Sequence, residues 1–286
     1  MNLNEYLEKN LQQSTAKNYL YEINKFKALN PNTENYNYQE VMQYVENLRK
    51  NYPPKTINRI LASLKKYYDY LIEIESRTDN PARSIKLRDN GENPIQLQDL
   101  FTEKQLQKLL EPRVERYPFL TKKNQIIMGL FMYQALRSGE IIKLKVSDIN
   151  LEKATIKITG TAITNDRILP LKAEQILLLY EFINQDRNKL KTHRNDENAL
   201  LLGKLGTPIT IDDINYLVST YQKQFTLKLT SITIRQSVIT NLLSKNNDLR
   251  MVQEFAGHKH MDTTEKYRQT GIKALQNAIE KHHPIQ

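Results

Sequence analysis

Apolar side chains recur at three- and four-residue steps through the first ninety residues, which is the period of an amphipathic helix. The clearest stripe lies between Lys55 and Glu75 and comprises Ile57, Ile60, Leu61, Leu64, Tyr68 and Leu71. Two shorter stripes precede it, one from Ala16 to Phe26 with Ser14 as its predicted N-cap, and one from Val41 to Leu48. Breaks rich in proline and asparagine separate the stripes, so the pattern predicts a small bundle of three or four helices over residues 1–84.

The periodicity disappears between Ile85 and Leu100, where Asp, Asn, Gly and Pro concentrate. Such a composition is typical of an exposed connection between domains, so we expect a linker over residues 85–100. Thr102 and Gln105 then have the spacing of a capping box, which predicts the first helix of a second domain, residues 101–286.

The second domain is predicted to be mostly helical with one β-hairpin. Polar and apolar residues alternate from Ala154 to Thr159 and again from Arg167 to Leu171, on either side of a connection over Gly160–Asp166. Near the C-terminus, the helical spacing of apolar residues predicts a short tail helix over residues 271–283. The expected fold class is therefore mainly α with a small β-hairpin or sheet.

The composition of the 286-residue chain is that of a folded globular protein, with 39% hydrophobic and 26% charged residues. The chain contains no cysteine, which excludes disulfides, thiolate catalysis and cysteine-based metal clusters. Its apolar runs are too short to span a membrane, and residues 1–11 lack the pattern of a signal peptide. We therefore expect a cytoplasmic protein without a membrane partner.

The net charge of the chain is +10, from 42 Lys and Arg against 32 Asp and Glu, and the sequence pI is near 9.4. Residues 1–100 are nearly neutral, so the positive excess lies almost entirely in the second domain. A basic domain of this kind is suited to a polyanion such as nucleic acid. A biased Lys- and Asn-rich composition without functional meaning is the alternative, and charge alone leaves both open.

Several familiar active-site patterns are absent from the sequence, which has no Gly-rich phosphate loop, no HExxH and no Gly-x-Ser-x-Gly. Two histidine pairs, His258 with His260 and His282 with His283, have no convincing third ligand nearby. A metal site normally needs at least three protein ligands, so we expect no metal.

The polar residues that remain occupy unusual places in the pattern. Arg137 lies where one apolar helix ends and a shorter one begins, and Arg235 interrupts the apolar rhythm of another predicted helix. Gly257-His258 follows a short helix at a predicted C-terminal turn, and Tyr267 is the last tyrosine of the chain. Taken one at a time, each of these residues also fits an ordinary salt bridge, cap or packing contact.

At these positions the chain resembles the tyrosine recombinases, the family that includes phage integrases and Xer-type resolvases. The segment ALRSGEI around Arg137 is similar to the family's first arginine box, and Arg235 lies where the second arginine belongs. Gly257-His258 and the segment DTTEKY that ends at Tyr267 are similar to its Gly-His box and nucleophile segment, in the expected order and spacing. The first domain resembles the family's helical core-binding domain, so the resemblance covers almost the whole chain.

The resemblance implies a site-specific recombinase or integrase that cuts and rejoins DNA through a 3′-phosphotyrosyl intermediate, without metal, ATP or other cofactor. Arg137 and Arg235 would hold the phosphate in paired hydrogen bonds, His258 would also bond it, and Tyr267 would attack it. The implied partner is double-stranded DNA, on which a protein that is monomeric when free would form a homotetramer over two sites. The tail over residues 271–283 would dock into a neighbouring subunit or, alternatively, fold back on its own domain.

Two positions depart from the family's pattern. Thr161 lies in the hairpin turn where the family usually has a lysine that acts as general acid, and Ile232 replaces the usual histidine or lysine general base. Each such group is worth roughly 10²–10⁴ in rate. Either another side chain takes over, the candidates being Lys157, Arg167 and Lys172, or the chain is a catalytically impaired paralogue that acts as a DNA-binding accessory or architectural protein. An RNA-binding function is disfavoured, because no aromatic-rich strand motif appears.

Basic side chains are candidates for contacts with DNA outside the active site. The candidates are Lys17, Lys55, Arg59 and Lys66 in the first domain and Arg167 in the second. With Ser63, three of them form one polar stripe opposite the apolar face of the predicted helix at 55–75, and the resemblance implies that such helices enter the major groove. The alternative is a polar face that is simply solvated, and side-chain type alone does not tell which bases are read.

Overall fold

The computed structural model describes residues 1–87, 99–190 and 198–268, and the chain divides into two compact units, Met1–Asn93 and Pro94–Gln286. The division falls within the stretch predicted as a linker. Both units are mainly helical, and a three-stranded antiparallel sheet lies in the second, which confirms the predicted fold class. Over the described ranges, no helix combines the length and apolar character that a membrane crossing requires.

The described residues of the first unit form four α-helices. They are α1 (Leu3–Asn10), α2 (Gln13–Leu29), α3 (Tyr38–Arg49) and α4 (Pro54–Glu73). Asn2 and Asn37 cap α1 and α3 with side-chain oxygens that accept backbone N–H groups of the first turn. All six apolar residues of the predicted α4 stripe are buried, and they form the centre of this unit's core.

Two details of the first unit differ from the sequence predictions. Ser14 is not the N-cap of α2, because the cap is Gln12, two residues earlier, and the helix starts at Gln13. Ser63 does not belong to an exposed polar stripe: it is fully buried, and its hydroxyl donates to the Ile60 carbonyl at 2.6 Å. The reason is that α1, α2 and α3 all pack on α4, so its buried face is wider than the stripe of large apolar residues.

The described residues of the second unit form the remaining α-helices. They are α5 (Glu103–Gln107), α6 (Thr121–Gln134), α7 (Ser138–Ile141), α8 (Ala173–Glu181), α9 (Arg187–Leu190), α10 (Ile211–Thr220), α11 (Ser231–Ser244), α12 (Leu249–Ala256) and α13 (Met261–Glu265). The predicted capping box of α5 is present, since Thr102 Oγ1 accepts from Gln105 N and Gln105 Oε1 accepts from Thr102 N. The predicted tail helix, residues 271–283, lies outside the described residues.

The sheet consists of β1 (Ile149–Asn150), β2 (Thr155–Ile158) and β3 (Arg167–Pro170) in that order. Strands β2 and β3 are the predicted hairpin, with Ile156 opposite Leu169. Strand β1 was not predicted, because two residues are too few to show an alternating pattern. It pairs with β2 through Ile149 and Ile156.

Helix α6 is the centre of the second unit and is buried nearly all round, through residues such as Ile127, Met128 and Phe131. A helix that is apolar on every side belongs in the interior. Helix α11 packs against α6, and α12 packs against α11. The segments that carry Arg137, Arg235 and His258 therefore adjoin one hydrophobic core.

Candidate active site

Arg137 lies in the turn between α6 and α7. Ala135 closes α6 in the left-handed conformation, with φ +47°, and the chain then extends so that Arg137 immediately precedes α7. The backbone N–H of Arg137 donates to Glu140 Oε2 at 2.9 Å, which caps the short helix. The Arg137 side chain is half-buried, and its Nε has no hydrogen-bond partner although it is buried.

Glu140, in the first turn of α7, is the negative charge around which the arginines gather. Its fully buried carboxylate accepts from Arg167 Nη1 at 2.8 Å and Nη2 at 3.0 Å, and it lies 3.8 Å from Arg235 Nη1. Burial by itself would raise the pKa of Glu140, but the hydrogen bonds and charge of Arg167, with the other arginines, hold that pKa below its usual value. Glu140 is therefore a carboxylate that partly balances the surrounding positive charge.

Arg235 extends from α11 into the space between the end of α6 and the end of α12. Its Nη1 donates to the Ala135 carbonyl and its Nη2 to the Ala256 carbonyl, the latter at 2.7 Å, while its buried Nε has no partner. The side chain is 95% buried. Burial, followed by the charge of Arg137, lowers the pKa of Arg235 to about 10, so the guanidinium is still charged at neutral pH.

His258 follows the left-handed C-cap of α12 at Gly257, which has φ +70°. Its Nε2 lies 3.1 Å from Arg235 Nη2, and its Nδ1 lies 2.8 Å from the hydroxyl of Thr264 in α13. The ring is 1% exposed. Burial, then the charge of Arg235, lowers the pKa of His258 to about 4, so the imidazole is neutral at pH 7.

Tyr267 lies two residues beyond the end of α13, and its backbone N–H donates to the Thr264 carbonyl at 3.0 Å. Its ring stacks on the imidazole of His258, with centroids 5.8 Å apart and planes 13° from parallel. The side chain is half-buried. His258 thus lies between Arg235 and Tyr267 and contacts both. Arg137 is close enough for its charge to lower the pKa of both Arg235 and His258.

The charges of this cluster favour an anion. Three guanidinium groups, from Arg137, Arg167 and Arg235, surround the single carboxylate of Glu140. The Nε atoms of all three arginines are buried donors without a partner, and a buried donor without an acceptor is unfavourable. An oxyanion such as a phosphodiester would supply acceptors and charge together. In the parts of the chain that the structure describes, no group of three or more His, Asp or Glu could hold a metal ion.

The two positions that depart from the family's pattern lie in different surroundings. Thr161 pairs with Thr164 across the β2–β3 loop, and Thr164 pairs with His258 in a β-bridge, so the loop is fastened to the turn at Gly257. Ile232, in the first turn of α11, is 67% exposed. Neither side chain titrates near neutral pH, so neither is a replacement proton carrier.

The residues that the sequence predicts as DNA contacts differ in their exposure and in their ion pairs. Lys17 and Lys55 are exposed and Lys66 is half-buried, all in the first unit. Arg59 is exposed as well, but its guanidinium is 2.7 Å from Glu22. The prediction that Arg167 contacts DNA is wrong. Its side chain is only 6% exposed, because it forms an ion pair with two hydrogen bonds to buried Glu140, so it supports the site from within the protein.

The sequence did not reveal that Glu140 and Thr264 belong to this cluster. Both residues belong to segments that carry the family resemblance, Glu140 to ALRSGEI and Thr264 to DTTEKY, but neither segment assigns them a role. A signal existed for each, because Glu140 follows Arg137 by three residues and Thr264 precedes Tyr267 by three, which is one helical turn.

Comparison with known proteins defines the class. The model of the phage integrase family matches residues 99–272, and that of the phage integrase N-terminal SAM-like domain matches residues 3–74. The first match alone covers more than half of the chain. The chain therefore belongs to the phage integrase family, the tyrosine recombinases, as the motifs predicted.

Individual relatives agree with this assignment. Tyrosine recombinase XerD of Oceanobacillus iheyensis is 27% identical over 231 residues, covering 80% of this chain and 76% of the relative. Tyrosine recombinase XerA of Pyrococcus horikoshii is 26% identical over 283 residues, covering 96% and 90%. These relatives are enzymes of the recombinase class.

Solved structures share the fold. The XerH site-specific recombinase bound to a palindromic difH substrate gives a TM-score of 0.70 at 22% identity, covering 92% of this chain and 77% of that one. The Tn1549 transposon integrase in complex with a circular intermediate DNA gives 0.65 at 18% identity, covering 98% and 99%. The structural likeness confirms a fold of the tyrosine recombinase type.

Proposed function

We propose that the chain is an active site-specific recombinase that cuts and rejoins double-stranded DNA through a 3′-phosphotyrosyl intermediate. The observation that carries this proposal is the convergence of Arg137, Arg235, His258 and Tyr267, in a cluster where three buried guanidinium N–H groups have no partner. Oxygens of a phosphodiester are the acceptors that those groups lack. The relatives supply the precedent, since the XerH and Tn1549 structures are complexes with DNA.

In the proposed reaction Tyr267 Oη forms a bond to the phosphorus while the bond from phosphorus to the 5′-oxygen breaks. The proton that leaves Tyr267 is balanced by the proton that the 5′-oxygen gains. Arg137 and Arg235 stabilise the negative charge that grows on the non-bridging oxygens. The phosphotyrosyl ester keeps the free energy of the phosphodiester bond that was broken. Attack by a 5′-hydroxyl on that ester therefore rejoins a strand without ATP.

Binding to DNA is assigned to three lysines of the first unit together with the basic second unit. Lys17, Lys55 and Lys66 are the proposed phosphate contacts of the first unit, because counterion release gives each such contact an affinity independent of sequence. We further propose a monomer that forms a homotetramer on two DNA sites. Deletion of residues 271–286 should leave binding to one site intact and abolish the tetramer in sedimentation with a two-site duplex.

A nicked duplex tests the proposed cleavage. Duplexes that the protein binds are selected from a random-sequence pool and remade with a nick beside the cleavage position, so that cleavage releases a short fragment and traps the protein covalently. We expect an adduct with the wild type and none with Arg137→Ala, whose binding to the same duplex should be nearly unchanged. Lys143→Ala, which removes an exposed positive charge close to Arg137 in sequence, is the matched control and should form the adduct.

A DNA-binding accessory protein without cleavage activity is the second candidate. The observation that favours it is the absence of a proton-transferring side chain at Thr161 and Ile232. Tight, sequence-selective binding with no covalent adduct on any selected duplex would support this candidate. Cleavage by the wild type that Arg137→Ala abolishes would exclude it.

A further inference from the structure

We infer that Arg59 reads a guanine in the major groove, and that Glu22 is the positioning residue that holds its guanidinium ready for that contact. The inference rests on the proposed function only as far as binding to double-stranded DNA. It gives Arg59 a different task from the lysines of the same unit, which are the proposed phosphate contacts.

An ion pair between the two longest helices of the first unit is the starting observation. Arg59 lies in the second turn of α4, and its Nη2 is 2.7 Å from Oε1 of Glu22 in α2. The side chain of Glu22 is 9% exposed, whereas that of Arg59 is 44% exposed. One edge of the guanidinium is therefore held against the protein, while much of the side chain is open to solvent.

The carboxylate is in a fixed place. Glu22 precedes Ile23 and lies one turn before Phe26, and both of these apolar residues are fully buried in the core of the unit. Among the ion pairs between described residues, Glu22 takes part only in the one with Arg59. A buried carboxylate that loses its cation is strongly unfavourable, so Arg59 should keep this orientation when no DNA is bound. An arginine ordered in advance loses less freedom on binding.

The charges of the pair make Arg59 a poor phosphate contact. Affinity for phosphate comes from positive charge that displaces counterions, and the carboxylate of Glu22 offsets the charge of Arg59. Lys17 and Lys55 differ in this respect, because both are exposed and neither forms an ion pair with another residue that the structure describes. The lysines therefore suit the phosphates, and Arg59 does not.

The donors of Arg59 suit a base edge instead. A guanidinium has five N–H donors in a rigid fork, and those that do not face Glu22 have no partner within the described ranges. Guanine presents two acceptors, O6 and N7, in the major groove, and an arginine fork binds both. Lys55 is four residues before Arg59 and so lies on the same face of α4. A helix that places Lys55 against a phosphate therefore brings Arg59 to the adjacent bases.

The test uses the full chain and duplexes selected from a random-sequence pool, which identify the preferred guanine, followed by salt titrations of the binding. A double variant, Glu22→Gln with Arg59→Ala, removes the pair without leaving a buried carboxylate unpaired. Glu22→Gln alone frees the charge of Arg59. Arg83→Ala, which breaks an exposed ion pair with Asp69 in the same unit, is the matched control. Lys55→Ala is the comparison for a phosphate contact.

We expect the wild type and Arg83→Ala to prefer guanine at one position by about 5- to 150-fold over the other bases. The double variant should lose that preference with an unchanged slope of log affinity against log salt. Lys55→Ala should do the opposite, keeping the preference and lowering the slope by about one. Glu22→Gln should weaken the preference and raise the slope by about one, since a freed guanidinium can turn to a phosphate.

Replacement of the preferred guanine by 7-deazaguanine, which lacks the N7 acceptor, is the second readout. It should weaken binding of the wild type and leave the double variant unaffected. A double variant that keeps the preference, or that loses slope as Lys55→Ala does, would overturn the inference, as would wild-type binding that 7-deazaguanine leaves unchanged. If the double variant does not fold, the 7-deazaguanine result with the wild type decides. Binding is measured apart from cleavage, so a wild type that never forms the covalent adduct would refute the proposed cleavage alone.

Discussion

Gly257→Ala is expected to destabilise the second unit severely, because two independent features of the turn before His258 require glycine. The backbone at Gly257 has φ +70°, which is left-handed. A Cβ built on it would lie 2.5 Å from Arg167 Nη1 and 2.9 Å from Arg167 Cζ. The guanidinium cannot move away freely, since both of its Nη groups bind the buried carboxylate of Glu140.

The magnitude follows from adding the two effects. A left-handed alanine costs about 1–2 kcal/mol. Separating a buried ion pair, which leaves an uncompensated carboxylate, costs about 3–5 kcal/mol. We therefore expect Gly257→Ala to lower the free energy of unfolding by about 4–7 kcal/mol, a large share of the stability of an ordinary domain.

Urea-induced unfolding, followed by circular dichroism, measures this change. Gly139→Ala is the matched control in the same unit, because no atom lies within 4 Å of the position where its Cβ would be and it lies in α7. It should be neutral or stabilising by up to about 1 kcal/mol. A loss for Gly257→Ala below about 2 kcal/mol would show that Arg167 yields without leaving Glu140, and the argument for a locked ion pair would be wrong.

Three further predictions concern titration, proton transfer and binding. Burial holds the pKa of His258 at about 4 in the folded protein, against about 6.5 in the unfolded chain. The free energy of unfolding of the wild type, relative to His258→Asn, should therefore be highest above pH 6.5 and fall by about 3 kcal/mol as the pH drops to 4. A difference that does not vary with pH would contradict the buried neutral ring. Ile232→His should raise the cleavage rate by about 10-fold or more, since a side chain at this exposed position can be solvated, whereas Ile232→Gln should not; equal rates would mean that another group already carries the proton. Lys55→Ala should weaken binding to all duplexes alike and reduce the slope of log affinity against log salt by about one, and an unchanged slope in a salt titration would remove Lys55 from the interface.

Much of the fold and of the candidate site could be predicted from the sequence where the pattern is local. The α4 stripe, the capping box at Thr102 and the β2–β3 hairpin depend on neighbouring residues, and all three are present in the structure. The identities of Arg137, Arg235, His258 and Tyr267 as site candidates came from their order and spacing, which the resemblance made informative.

What could not be predicted depends on contacts between distant segments. Arg167 looked like a surface cation, but 27 residues separate it from Glu140, and only the fold shows that the two form a buried pair. Ser63 fell on a polar stripe by helical geometry, yet three packed helices bury it. The contact between His258 Nδ1 and the Thr264 hydroxyl is likewise visible only when α13 is placed against the end of α12.

Mass spectrometry of the trapped protein–DNA adduct tests the central claim most directly. The account predicts that the nucleotide is attached to the peptide that contains Tyr267. It also predicts that Tyr267→Phe, which keeps the ring that stacks on His258, binds the same duplex without forming any adduct. An adduct on a different residue, or one that persists in Tyr267→Phe, would contradict it.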